Sequence, residues 1–158
     1  MEKSKTAFVA ASITHGRETL PFVRFIIGLL QYHGYDVPSV HNAADDPVKV
    51  FVEKIGDPTA TDPASFYEWN NRWIEEADIF VAEMSIPSDG RGAEFERCIL
   101  KPRLGLSQTP ILGVYLEGSR VSPHILGAGQ KKTHIWFRSY REISDLRIAL
   151  EDFLVAFS

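Results

Sequence analysis

Glu94 closes the run Pro-Ser-Asp-Gly-Arg-Gly-Ala-Glu (87–94), shortly after the apolar stretch from Ile79 to Met84. A loop of hydroxyls and glycines after a buried strand places that carboxylate at the carboxyl edge of a parallel sheet, where open α/β folds take their ligands. The spacing puts Glu94 in the first turn of a helix with apolar positions Phe95, Cys98 and Ile99. There the positive end of the helix dipole favours the ionised form. An ionised carboxylate suits a nucleophile or an electrostatic stabiliser better than a resting general acid. A helix-capping glutamate satisfies the same spacing. Asn70 shares the stripe of Phe66, Trp69, Trp73 and Ala77 on the preceding helix, whose early residues should reach the same sheet edge. Its amide could therefore point toward Glu94, or be buried and satisfied by backbone. His41 could line the pocket or be a satisfied loop histidine. Arg17, Ser12, Ser88 and Ser122 are, by spacing alone, helix-start and turn residues.

Other chemistries find less support. Cys98 is the single cysteine and falls on a core-facing stripe, so neither an intrachain disulfide nor a cysteine metal cluster can form. No Gly-x-Ser-x-Gly elbow is present, and the five histidines show no metal-ligand spacing. No metal or cofactor is expected. A net charge of −4 argues against nonspecific nucleic-acid binding, which needs a basic surface. A local anion site remains open, because backbone N–H groups and one or two arginines can hold phosphate. No apolar run approaches the roughly 20 residues of a membrane span. The start of the chain carries no signal-peptide core, so a cytoplasmic protein is expected.

The elements that must position these residues follow from periodicity. Over its 158 residues, read as one domain spanning 1–158, the chain is 44% hydrophobic and 24% charged, the balance of a globular protein. Thr6 to Ala11 reads as a first strand, and Glu18 to His33 as a helix stopped by Gly34. Tyr35 to Val40 reads as a second strand, placed at an edge by Pro38. A polar, proline-bearing connection, around a short helix from Val48 to Ile55, runs from Asn42 to Pro63 and could act as a lid. Asp62-Pro63 opens the Asn70 helix, and Ile79 to Met84 is the central strand. Pro110 to Leu116 and Thr133 to Phe137 are further strands around a polar loop from Glu117 to Lys132. A closing helix buries Leu146, Leu150, Phe153 and Leu154. Five strands alternating with helices predict an α/β fold, a doubly wound five-stranded parallel sheet with helices on both faces.

Three segments together carry a resemblance. Ala77-Asp78, Val81-Ala82-Glu83 and Pro87-Ser88-x-Gly90-x-Gly92-x-Glu94 are similar to the signature of the 2′-deoxynucleoside 5′-phosphate N-hydrolases, within the nucleoside 2-deoxyribosyltransferase superfamily. Ser12-Ile13-x-x-Gly16-Arg17 resembles that family's phosphate-side loop, and Val121-Ser122-x-x-Ile125-x-Gly127-Ala128 its late serine-bearing loop. The resemblance implies a Rossmann-like sheet in flavodoxin-like order and cleavage of a nucleotide's N-glycosidic bond. Glu94 would be the nucleophile. Ser12, Ile13, Gly16, Arg17, Ser88 and Gly90 would hold the 5′-phosphate, and Ser122 would come from the partner subunit of a homodimer.

Three positions depart from the family's pattern. Asn70 replaces an aspartate and can orient a sugar hydroxyl or a water without carrying a proton. Phe8 replaces a tyrosine and removes a hydroxyl from the sugar side, which admits a ribonucleotide. Glu96 stands where a small residue is usual, and cannot share a helix face with Glu94. The leading expectation is thus a hydrolase of nucleoside 5′-monophosphates. A deoxyribosyltransferase that exchanges bases, and a nucleotide-binding protein with little turnover, are the alternatives.

Overall fold

Strand β1 (Ala7–Ala10) shows how the molecule is layered, because its alternate residues enter two different cores. The computed structural model describes residues 3–13, 15 and 17–157. Among them β1, β2 (Ile79–Glu83), β3 (Ile111–Leu116) and β4 (Ile135–Tyr140) form one parallel sheet in that order. Both faces of its central strands are buried, which explains their unbroken apolar runs. Helices α1 (Leu20–Tyr32) and α6 (Ile143–Phe157) cover one face, with Ile26, Leu30, Leu150 and Phe153 over Val9, Val81 and Leu112. Helices α3 (Pro63–Glu76) and α4 (Asp89–Ile99) cover the other, with Ile74, Phe95 and Cys98 over Phe8, Phe80 and Ile111. The site is built on this second face.

The sheet has four strands, not the five expected. Where Tyr35 to Val40 was to pair with β1, a single parallel bridge joins Thr6 to Asp36. Pro38 has no N–H to give to a ladder, and the chain turns into a 3-10 helix at Val40–Ala43. Side chains then replace the missing strand. The N–H of Val9 donates to Ser39 Oγ at 2.8 Å, and its carbonyl accepts from Asn42 Nδ2 at 2.7 Å. The edge of β1 is closed without a neighbour.

Two further differences concern helices. The loop expected from Glu117 to Lys132 contains α5 (Pro123–Lys131), in which Gly127 and Gly129 read as breakers. Gly129 is there for space, since a Cβ would stand 2.6 Å from the Phe137 ring. Helix α4 begins at Asp89, inside the expected loop, because the Ser88 hydroxyl accepts from the N–H of Arg91 at 3.3 Å. Glu94 is thus the sixth helical residue, beyond the first turn where the dipole acts.

The long connection folds as expected around a short helix, α2 (Pro47–Ile55). Asp46 caps it by accepting from Lys49 N at 3.1 Å, and Gly56 ends it in the left-handed conformation at φ +72°. No helix among the described residues is long and apolar enough to cross a membrane.

Candidate active site

The segments that follow β1 and β2 at the carboxyl edge, together with the start of α3, enclose a cleft of about 630 Å3. Ile13 and His15 line it from the first segment, Ser88, Gly90, Arg91 and Glu94 from the second, and Asn70 and Phe66 from α3. A neighbouring cavity of about 470 Å3 shares Phe66, Asn70, Gly90 and Glu94 and extends along α3 and α4 past Asn71 and Arg97. Glu94 therefore borders both spaces.

Asn70 and Glu94 meet, the amide Nδ2 donating to Oε1 at 3.3 Å. The Asn70 Oδ1 is buried and has no partner within the protein. Glu94 keeps part of its surface open, yet the surrounding protein desolvates the carboxyl enough to push its pKa up to about 8. Arg91, one helical turn before it, pulls the other way. The expectation that the helix dipole would hold Glu94 ionised is overturned: burial outweighs a dipole that has faded by the second turn. Burial therefore favours the protonated carboxyl over the ionised one near neutral pH.

Arg91 was not anticipated. Only 5% of it is exposed, its Nη1 donates to the Glu83 carbonyl at 2.9 Å, and its buried Nε has no partner. Its presence three residues before Glu94 on one helix was the available signal. Glu83 ends β2 with its carboxylate buried among hydroxyls, accepting from Tyr140 Oη at 2.8 Å and from Ser85 Oγ. The Ser85 hydroxyl accepts in turn from Leu116 N at 2.8 Å. This network ties β2 to β3 and β4 directly beneath the start of α4.

The first loop is arranged differently from the expectation. Ser12 is buried, its Oγ accepting from His15 N at 3.3 Å. Arg17 turns away from the cleft: its guanidinium donates to the carbonyls of Ser12 and Asn42, both at 3.1 Å, and to that of Ala44. Arg24 adds a bond to the Ala43 carbonyl at 2.9 Å and an ion pair with Asp45. Backbone carbonyls, which accept and carry no charge, have taken the donors that a phosphate would need. Gly16 lies outside the described residues.

Two expected pocket residues lie under the site. Phe8 is fully buried and stacked on Phe80 at 5.5 Å, in the layer beneath α3 and α4. His41 is 1% exposed, its ring against Phe51, Phe66 and Trp73, its Nδ1 unpartnered and its pKa pushed down to about 4 by burial. Ser122 is exposed at the start of α5, beside a depression of about 290 Å3 that also touches Ser88, Asp89 and Arg91. Within one chain it does not enter the Glu94 cleft. Glu96 is exposed and borders the neighbouring cavity. Among the described residues, no group of three or more His, Cys, Asp or Glu is gathered to hold a metal ion.

A carboxyl group beside an amide, one turn along the helix from a buried guanidinium, can stabilise and trap a cationic carbon while an anion rests at the helix start. No protein-family model matches the chain. A protein of Methanococcoides burtonii, provisionally named 2′-deoxynucleoside 5′-phosphate N-hydrolase 1, is 32% identical over 120 residues, 76% of this chain and 88% of that protein. One of the same name from Methanosarcina mazei is 28% identical over 152 residues, 96% and 85% of the two chains. The 5-hydroxymethyl-dUMP N-hydrolase of Rattus norvegicus is 25% identical over 146 residues, 85% of this chain and 86% of that one. Among solved structures, the CMP N-glycosidase of Clostridium botulinum shares the fold, with a TM-score of 0.62 and 16% identity over 96% of this chain and 99% of that chain. By sequence, the chain belongs to the 2′-deoxynucleoside 5′-phosphate N-hydrolase family.

Proposed function

We propose that this protein hydrolyses the N-glycosidic bond of a nucleoside 5′-monophosphate, releasing the free base and a sugar 5-phosphate. The observation that carries the reading is the Glu94 carboxyl held against the Asn70 amide where two cavities meet. In its ionised form Glu94 attacks the anomeric carbon as the base departs, and the ester so formed is opened by water. The hydroxyl of that water goes to the sugar, and its proton balances the released base. An amide cannot serve as acid or base, so Asn70 orients the carboxylate and the sugar and moves no proton.

The phosphate is read onto the start of α4, with the Ser88 hydroxyl and the Gly90 backbone, facing Ile13 across the cleft. Arg91 supplies the nearest positive charge, in place of Arg17. A second copy of the chain would bring its exposed Ser122 loop to the depression beside Ser88 and Asp89, completing a shared site in a homodimer. The test is incubation with a panel of nucleoside 5′-monophosphates, with and without added free base, followed by chromatography. Base released without an acceptor, and lost in Glu94→Ala, is the expected result. Release undiminished in that variant overturns the reading, and exchange that requires an acceptor base assigns a transferase instead.

A further inference from the structure

The Asn70 Oδ1 has no hydrogen-bond partner in the protein although it is buried, while its own Nδ2 is committed to Glu94 at 3.3 Å. That orientation follows from chemistry. A carboxylate about to attack can only accept, so the amide must present its NH2 group to Glu94 and its oxygen to something else. A buried acceptor left unmade is costly, and Asn70 lines both cavities that meet at Glu94. The missing donor is therefore best sought on the substrate.

We infer that Asn70 is a specificity-determining residue whose Oδ1 accepts from the 2′-hydroxyl of a ribonucleotide, so that ribose is preferred to 2′-deoxyribose. The inference rests on the hydrolase reading for the placement of the sugar. In a β-nucleotide the base lies on one face of the ring and Glu94 must approach the anomeric carbon from the other, to roughly 3 Å. The ribose 2′-hydroxyl projects on that same face, one carbon away. A group in hydrogen-bond contact with Glu94 is thus in contact range of this hydroxyl. A deoxy sugar offers no donor there and leaves Oδ1 unpaired, a penalty that discriminates between two otherwise equal substrates. Phe8, whose missing hydroxyl was the earlier ground for admitting ribose, is buried beneath the site, so the discrimination does not depend on it.

The experiment compares matched ribo- and 2′-deoxynucleoside monophosphates, together with the arabinosyl analogue, whose 2′-hydroxyl lies on the opposite face. The expected ratio of kcat/KM, ribo over deoxy, is on the order of 10 to 100, with the arabinosyl analogue behaving like the deoxy one. Asn70→Ala should lower kcat/KM on both sugars, since the Glu94 carboxylate loses its amide, and lower it further on the ribonucleotide, so that the ribo-over-deoxy ratio collapses. Asn70→Asp, which keeps an acceptor, should hold the ratio even if both rates fall. Equal wild-type rates on both sugars, or an equal fall for both in Asn70→Ala, overturns the inference and leaves the hydrolase reading standing. If no base is released from any nucleotide, the hydrolase reading falls and calorimetric affinities decide. Tighter ribonucleotide binding erased by Asn70→Ala upholds the inference; equal affinities, or none, overturn it.

Discussion

Phe51 of α2 lies flat on Phe66 of α3, ring centroids 4.0 Å apart and planes within 13°. Phe51 is fully buried and also meets His41 and Trp73, while Phe66 lines both cavities at Glu94. The connection that spans 42–63 is thereby fastened to the wall of the site. Phe51→Ala should cost about 3–5 kcal/mol of stability, since it removes a whole buried ring. KM should rise more than kcat falls, because the cleft wall loosens while Glu94 stays in place. Denaturant unfolding and steady-state kinetics check the two effects separately.

The raised pKa of Glu94 makes a prediction about pH. A nucleophile must be ionised, so kcat/KM should climb about tenfold per pH unit below a value near 8 and level off above it. A general acid would give the opposite slope. Glu94→Gln should abolish turnover, with a loss on the order of 1000-fold or more. The same shift acts on stability. A carboxyl raised from 4.5 to about 8 stabilises the fold most while it is protonated, and that contribution disappears as the pH climbs through about 8. Thermal unfolding between pH 5 and 9 should show a decline that Glu94→Gln flattens.

His41 acts at the acid end. Its pKa is lowered from 6.5 to about 4, so the neutral ring stabilises the fold above 6.5 and the contribution is lost as the pH falls toward 4. His41→Gln should reduce this acid sensitivity in unfolding curves, at some cost in packing against Phe51.

Arg17 separates two roles by ligand choice. If it fastens the first loop to the start of the 42–63 connection, Arg17→Ala weakens nucleosides and nucleoside monophosphates by similar factors, because the whole cleft shifts. A phosphate clamp would weaken only the phosphorylated ligands. Calorimetry with matched pairs should show the first pattern.

Gly90 offers a trade between stability and activity. A Cβ at this helical position would meet nothing within 4 Å, so Gly90→Ala should raise stability by roughly 0.5–1 kcal/mol. The same methyl group occupies space at the α4 start where the phosphate is read to lie, so KM should rise. A gain in Tm with a loss of affinity is the expected pair of measurements.

A shared site predicts complementation. Glu94→Ala and Ser122→Ala, each with little activity alone, should recover about a quarter of wild-type activity when mixed and allowed to exchange subunits. One site of each mixed dimer would then hold both intact residues. No recovery, in a protein whose dimeric state is confirmed by light scattering, places Ser122 in its own chain's site.

Much of this could be read before any fold was known, because apolar periodicity reports burial and burial is what strands and helices share. The run Ile79 to Met84, the stripe carrying Asn70, the helix opened by Asp62-Pro63, and Glu94 after the glycines were all legible in that way. What the chain order could not convey is which partners meet across it. The edge of β1 is closed by the Ser39 and Asn42 side chains rather than by a fifth strand, and Arg17 is consumed by carbonyls up to 27 residues away. Glu94 is held protonated by the desolvation around it, against what its place in a helix implied. Protonation, donor supply and ladder closure depend on distances and on excluded water, and only the folded chain sets those.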